Sequence, residues 1–323
     1  MEYGAIPTID KPVSRVVQGT VMLDQADPTS GFALLDAAVE AGCTAFDTAR
    51  HYGRGSEAVF GQWLRERDLG DRIVVLGKGA HHSAERRRVT PEDIAADLEE
   101  SLRQFGIEQI DLYLLHRDDP SVSVGPIVAA LDGHRRAGKI RAYGGSNWAH
   151  ERIAEANAYA AANDHAPFVA SSPNFSLAAW VKPPWDECIS ISGPAGEAAR
   201  AWYAAEGMPV IPWSSLAGGF FSGRFRRDTV AGLTEYLDRT CADAYGSEAN
   251  FQRLDRAEEL ARERGLSIPQ IALAYVLNTP VNVFALVGCR TPQEFAENAA
   301  AVATKLTETE VEWLDLRREE REG

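Results

Sequence analysis

The chain has 323 residues, 45% of them hydrophobic and 25% charged, which are the proportions of a soluble globular protein with material for a large core. Its net charge of -14 at pH 7 repels nucleic acid and anionic membrane and argues against both as partners. No apolar run is long enough to span a bilayer. The N-terminus, Met1-Glu2-Tyr3-Gly4-Ala5, has no basic segment followed by an apolar one. Cys43, Cys188, Cys241 and Cys289 show no Cys-x-x-Cys spacing. The expectation is a cytoplasmic protein with reduced thiols and no metal site.

In chain order, 15–22 (RVVQGTVM) reads as a first strand. A helix follows over 30–41, with Phe32, Leu34, Leu35, Ala38 and Val39 at helical spacing and Gly42 as its stop. Strand 44–47 leads to helix 57–69, which carries Val59, Phe60, Trp63 and Leu64 on one face. The apolar strand 72–77 ends at Lys78. Helix 90–105 opens with Thr-Pro-Glu-Asp, a cap followed by proline and acids in the first turn. Strand 109–115 ends at His116, and strand 140–145, after helix 124–137, ends at Ser146-Asn147. Then come helix 150–162, strand 168–171, helix 197–206, strand 208–213, helix 267–277, strand 283–287, helix 292–302 and a charged tail helix at 308–320.

Eight buried strands alternating with helices indicate a parallel sheet with helices outside. Closure into a (β/α)8 TIM barrel and an open doubly wound sheet both meet that pattern. The length favours the barrel, and so do the polar residues. Asp47, Lys78, His116, Ser146, Ser172 and Trp213 each stand at or just past the C-terminal end of a different strand, where barrels place their chemistry. An open sheet concentrates ligand groups at one switch point, and the first strand turn has no G-x-G-x-x-G. The expected organisation is a single α/β domain over 1–323, with loop insertions after the late strands and a C-terminal helix.

Taken singly, each polar group has a structural reading: Asp47 a loop cap, Tyr52 a rim aromatic, Lys78 a surface residue, His116 a core imidazole. Together at successive strand mouths they form a proton-delivery set. Carbonyl reduction puts hydride on carbon and a proton on oxygen. Free tyrosine, with a pKa of about 10, is a weak acid. A nearby ammonium lowers that value, so Lys78 is expected to act on Tyr52. Asp47 would balance Lys78, and His116 would hydrogen-bond the substrate oxygen.

The segment FDTARHYGRGSEAVFG resembles the signature of the aldo-keto reductases, with Asp47 and Tyr52 at its key positions. Lys78 ending RIVVLGK and His116 in DLYLLHRDD resemble the other two members of that family's tetrad. The resemblance runs along nearly the whole chain. It implies a TIM barrel binding an extended nicotinamide cofactor, with Tyr52 as general acid. Gly144-Gly145-Ser146-Asn147 resembles the family's G-x-S-N, whose Ser and Asn hold the nicotinamide carboxamide. Ser172 stands where a glutamine is usual, and Phe175 where a tyrosine is common. Trp213 matches the aromatic under the nicotinamide ring. Ser214, Leu216, Gly218 and Gly223 match the loop that grips the pyrophosphate. Gly288, Arg290, Glu294 and Asn298 resemble the segment around the adenosine end. Arg290 suits the 2′-phosphate of NADP, while Glu294, in place of a glutamine, brings an unhelpful charge. NADP is therefore expected, with NAD as the alternative.

His51, Arg117, Trp148, Trp180 and Trp185 are the candidate substrate contacts, suiting a sugar-like or aromatic carbonyl. The segment 221–245 reads as a lid over the cofactor or as a plain surface helix and loop. Two other readings stay open: a regulatory, redox-sensing subunit that binds the cofactor with little turnover, and a metal-dependent barrel hydrolase or isomerase. The second requires a His/Asp/Glu cluster at the strand ends.

Overall fold

The computed structural model describes residues 1–53 and 55–321. A short antiparallel hairpin, β1 (Tyr3–Gly4) and β2 (Val13–Ser14), precedes the main sheet. The alternating series then runs β3 (Val16–Gly19), α1 (Pro28–Glu40), β4 (Ala45–Asp47), α2 (Ser56–Arg67), β5 (Val74–Gly79), α3 (Pro91–Phe105), β6 (Ile110–Leu115), α4 (Val124–Arg136), β7 (Ile140–Ser146), α5 (His150–Ala162) and β8 (Ala170–Ser172). It continues with α6 (Glu197–Glu206), α7 (Tyr236–Tyr245), α8 (Glu248–Arg264), α9 (Ile268–Leu277), β9 (Ala285–Val287), α10 (Pro292–Ala300) and α11 (Glu308–Leu314). Caps follow the sequence signals. Thr90 accepts from the Asp93 N–H ahead of Pro91, and Gly106 ends α3 at φ 68°, a conformation only glycine adopts freely.

Seven strands pair in parallel in the order β8-β7-β6-β5-β4-β3-β9. Residues 208–213 fill the gap between the two edges. Val210 bridges both Ser171 and Val283. The Ser171 N–H donates to Pro209 O at 3.0 Å, and the Phe284 N–H donates to Val210 O at 2.8 Å. The sheet is thus a closed eight-stave barrel, the expected (β/α)8 fold.

The period-2 alternation of the strands sorts their side chains into two cores. Val17, Ala45, Val74, Leu76, Leu112, Leu114, Ala142, Ala170, Ile211, Phe284 and Leu286 fill the barrel, and Ile6, Ile9 and Val13 of the hairpin region join them. Residues of opposite parity, such as Phe46, Val75, Tyr113, Leu115 and Tyr143, pack outward against the helices. Two residues beyond Ala45, Leu76, Leu114, Gly144, Ala170 and Ile211 on their strands come Asp47, Lys78, His116, Ser146, Ser172 and Trp213. One parity rule therefore fills the barrel and places this polar layer at its mouth.

Besides the unforeseen hairpin β1–β2, three elements depart from the sequence expectation. The longest helix, α8, was not foreseen, because its charged residues dilute a real stripe of Phe251, Leu254, Ala257, Leu260 and Ala261. Helix α7 occupies most of the second half of 221–245, and its end is anchored: Val181 N–H donates to Ala244 O, and Tyr245 is buried. The tail helix stops at Leu314, well short of 320, and Leu316 follows at φ 62°. Among the described residues no helix is long and apolar enough to cross a membrane.

Candidate active site

Asp47 and Lys78 come from neighbouring staves, β4 and β5, and both are buried. The Lys78 ammonium donates to both carboxylate oxygens of Asp47. Burial pushes the Asp47 carboxyl up and the Lys78 ammonium down, and each partner pulls the other back toward its charged form. The loop after β4 turns inward through Arg50 N–H to Lys78 O at 2.8 Å and Tyr52 N–H to Ala49 O at 3.0 Å. That turn brings the half-buried Tyr52 hydroxyl to donate to Asp47 Oδ1 at 3.3 Å. Lys78 Nζ lies 5.3 Å from the Tyr52 ring centre. His116, past β6, meets the Tyr52 ring edge-on at 6.0 Å. The four tetrad candidates are therefore together.

Their electrostatics differ from the sequence expectation in one respect. Burial and then the Asp47 carboxylate raise Tyr52 well above the ordinary tyrosine value, with Arg117 opposing. Lys78 is not among the groups that shift it; its ammonium is paired with the Asp47 carboxylate. His116 is held well below 6.5, first by burial and then by Lys78, so its imidazole is neutral at neutral pH. Its Nδ1 is buried without a hydrogen-bond partner, which leaves one valence open.

The cofactor candidates occupy an adjoining arc. Ser146-Asn147, Ser172, the 213–223 loop and the 288–298 segment follow β7, β8, stave 208–213 and β9, four consecutive positions around the barrel. Asn147 is fully engaged: its amide donates to His116 O and Ser146 Oγ, and its Oδ1 accepts from Ile189 N–H and Trp213 Nε1, both at 3.2 Å. Ser146 Oγ donates to Ser172 O at 2.9 Å. Ser214, Gly218 and Gly223 have positive φ, at 54°, 64° and 84°, together with Ala217 and Gly219. Such alternation turns backbone N–H groups toward one side, as anion cradles do, and Leu216 sits half-buried among them. A Cβ at Gly223 or Gly288 would meet nothing within 4 Å, so the backbone there is open. Glu294 caps the Arg290 N–H at 2.7 Å. It thereby spends its carboxylate on the backbone and leaves the exposed Arg290 guanidinium without an ion pair among the described residues. Asn298 is buried, with its amide on Cys289 Sγ at 3.2 Å. Open glycine backbone, a free cation and a half-buried Trp213 along one arc fit an extended dinucleotide. The saturated Asn147 fits it least.

The substrate candidates divide. His51 stacks on His81 at 3.6 Å. Arg117 is 7% exposed and donates to His116 O at 3.0 Å. Trp180 and Trp185 each lie 5.8 Å from Trp213. Trp148 does not line the mouth. It is wholly buried, its ring folds over Gly145 and packs 5.0 Å from Phe168, and its Nε1 donates to Arg117 O. Sequence reasoning passed over His81, which is 4.8 Å from His116, although the His81-His82 pair stands immediately past β5. It also missed Gln18, whose buried Oε1 has no partner while its amide bonds Cys289 O. Among the described residues no group of three or more His, Cys, Asp and Glu is arranged to hold a metal ion.

The sequence profile of the Aldo/keto reductase family matches residues 15–316. The chain belongs to that family. It is similar to the uncharacterized oxidoreductase YrpG of Bacillus subtilis, 27% identical and covering 95% of this chain and 92% of that one. It is also similar to a putative aryl-alcohol dehydrogenase of Saccharomyces cerevisiae, 26% identical over 88% of this chain and 75% of the other. The solved structure of a glycerol dehydrogenase from Gluconobacter oxydans matches with a TM-score of 0.78 at 28% identity, covering 96% of this chain and 93% of that one. This aldo-keto reductase is thus an oxidoreductase acting on carbonyl groups or the corresponding alcohols, and its family uses nicotinamide cofactors.

Proposed function

We propose that residues 1–323 work as a single domain that reduces an aldehyde or ketone to the alcohol, with NADPH preferred over NADH. The observation that carries the reading is the convergence of Tyr52, Asp47, Lys78 and His116 from separate elements on one point of the barrel mouth. Tyr52 Oη gives its proton to the substrate oxygen. Asp47 holds that hydroxyl in place and Lys78 keeps the carboxylate ionised. Neutral His116 hydrogen-bonds the same oxygen and aligns it. The cofactor, when bound, supplies the hydride. Trp213 would support its nicotinamide, Ser146, Asn147 and Ser172 its carboxamide, the 214–223 loop its pyrophosphate, and Gly288, Arg290 and Asn298 its adenosine end. The unpaired Arg290 supports NADP, because a 2′-phosphate gives that guanidinium the charge-assisted partner it lacks. Trp180, Trp185 and the imidazoles suit a substrate that is aromatic or hydroxylated, the two chemistries in the names of the aryl-alcohol and glycerol dehydrogenases this chain resembles.

The test is fluorescence titration with NADPH and NADH, then stopped-flow addition of a carbonyl panel to wild type and Tyr52→Phe. The expected outcome is tighter NADPH binding and turnover that falls by about 10²–10⁴-fold in the variant with binding retained. Tight binding with equal, negligible turnover in both proteins would instead indicate a redox-sensing subunit. Absence of nucleotide binding would overturn the reading entirely.

A further inference from the structure

Five acids around the barrel mouth are already committed to partners, while the exposed Asp186, beside Glu187, has no ion pair among the described residues. Asp47 is held by Lys78, Asp97 by Arg88, Asp118 by Arg152 and Asp119 by Arg87; Glu187 is held by Arg87 and His82. Arg117 is not among those partners. Its residue is 7% exposed, it forms no ion pair among the described residues, and its one side-chain hydrogen bond goes from Nη1 to His116 O at 3.0 Å. A guanidinium offers five N–H donors, and burying a charge without a counter-charge is expensive. The groups beside it do not compensate. His116 adjoins it in sequence, and His81 and His51 lie 4.8 Å and 6.3 Å from the His116 ring. All three imidazoles are shifted below 6.5, chiefly by burial, and the Arg117 charge contributes to each shift. The wall is therefore a ring of neutral imidazoles around one fixed positive charge.

We propose that Arg117 docks a carboxylate carried by the substrate, so that the preferred carbonyl compounds are anionic. This rests on carbonyl reduction at Tyr52. The anion belongs to the substrate because Arg117 follows β6. The staves of β7 and β8 separate it from stave 208–213, whose loop forms the phosphate cradle. A carboxylate is favoured over a phosphate dianion because the wall carries a single formal charge, and a planar two-oxygen anion matches a guanidinium edge. The Trp148 Nε1 bond to Arg117 O at 3.1 Å and the Asn147 amide bond to His116 O at 3.3 Å hold this backbone in place, which pre-organises the cation.

The experiment compares matched pairs with NADPH at saturation: 4-carboxybenzaldehyde against benzaldehyde, and succinic semialdehyde against butanal. Wild type is expected to favour the carboxylated member at least tenfold in kcat/KM, mainly through KM. Arg117→Met should bring the ratio near one, and Arg117→Lys should restore part of it. Benzoate, against benzamide as control, is titrated calorimetrically into the NADPH-bound protein, and Arg117→Met should weaken its binding at least tenfold. A wild-type ratio near one would overturn the proposal. So would an equal loss on both members of each pair, which would mean that Arg117 only positions His116. A rise in the Kd for NADPH that accounts for the change would assign the anion to the cofactor and also overturn it. If no carbonyl compound is turned over, the reductase reading fails, and the benzoate titration still decides whether Arg117 binds a carboxylate.

Discussion

The Asp47–Lys78 pair allows a quantitative test of the mouth. Both side chains are at most 3% exposed, and among the described residues Tyr52 is the one other side chain that hydrogen-bonds the carboxylate. Lys78→Met leaves a buried carboxylate without its cation. Breaking a buried pair from one side costs about 3–5 kcal/mol. With an unfolding entropy of about 2.1 cal/mol/K per residue over 323 residues, Tm should fall by about 4–7 °C. The loss should depend on pH. Without Lys78, burial, the largest influence on Asp47, is opposed only by the weaker Tyr52 hydrogen bond and raises the folded pKa above the unfolded value. The folded state then binds more protons than the unfolded one, so stability falls as pH rises through that window. Lys78→Met should therefore recover toward wild type as pH is lowered from 8 to 5. Asp47→Asn combined with Lys78→Met removes both charges and should be more stable than Lys78→Met alone, while remaining inactive. The assay is thermal unfolding by circular dichroism at a fixed scan rate, for wild type and the two variants at three pH values. A Lys78→Met Tm within about 1 °C of wild type at pH 8, or a double variant no better than the single, would refute the buried-pair account.

Other expectations follow from single residues. Arg290→Ala should weaken NADPH binding about tenfold and leave NADH binding nearly unchanged, as one charge-assisted contact to phosphate implies; fluorescence titration reads both. Trp148→Phe should lower stability by about 1–2 kcal/mol through the lost indole bond and the volume change, read by thermal unfolding, and, by loosening the Arg117 backbone, should reduce the preference for carboxylated carbonyls. Glu57 is buried and its carboxyl is pushed up to about 7, first by burial. Because its folded pKa exceeds the unfolded value, ionisation costs stability as pH rises from about 4.5 to 7. Glu57→Gln should therefore flatten that limb of the Tm–pH curve. Finally, kcat for reduction should be level from pH 6 to 9, because His116 stays neutral and Tyr52 stays protonated over that range; a step near 6.5 would contradict the assignment of His116.

The barrel was legible because each stave carries its own signal: an apolar run followed by a polar residue, such as Val75-Leu76-Gly77-Lys78 or Leu114-Leu115-His116. The same parity that buries Leu76 and Leu114 aims Lys78 and His116 inward. Where one residue needed a partner distant in sequence, the reading failed. Trp148 follows Ser146-Asn147 and so looked like a mouth residue. Its ring instead folds back over Gly145, where a Cβ would lie 2.6 Å from the indole. That glycine is thus required by packing as well as by any ligand. Helix α8 was missed because nine charged side chains mask its apolar stripe. The direction of the Tyr52 shift was missed because the sequence pairs Asp47 with Lys78 without showing how deeply the phenol is buried or that its hydroxyl also bonds Asp47.

That last difference changes the account of the acid. A tyrosine with a depressed pKa would deliver its proton readily but would stand partly ionised, and so unable to donate, toward the alkaline side. Here burial and the Asp47 carboxylate favour the neutral phenol, which keeps the proton in place at every physiological pH. Transfer remains favourable because the oxygen that receives it is becoming an alkoxide, a base comparable to hydroxide and far stronger than a phenolate. The acid therefore has to be weaker than usual only with respect to water. On the proposed mechanism Arg117, which opposes the rise in the Tyr52 pKa, would help to offset the negative charge left on Tyr52. A substrate carboxylate docked on Arg117 would consume part of that help. On this argument an anionic substrate gains in KM more than in kcat, and the division between the two constants in Arg117→Lys reports how the single charge is shared.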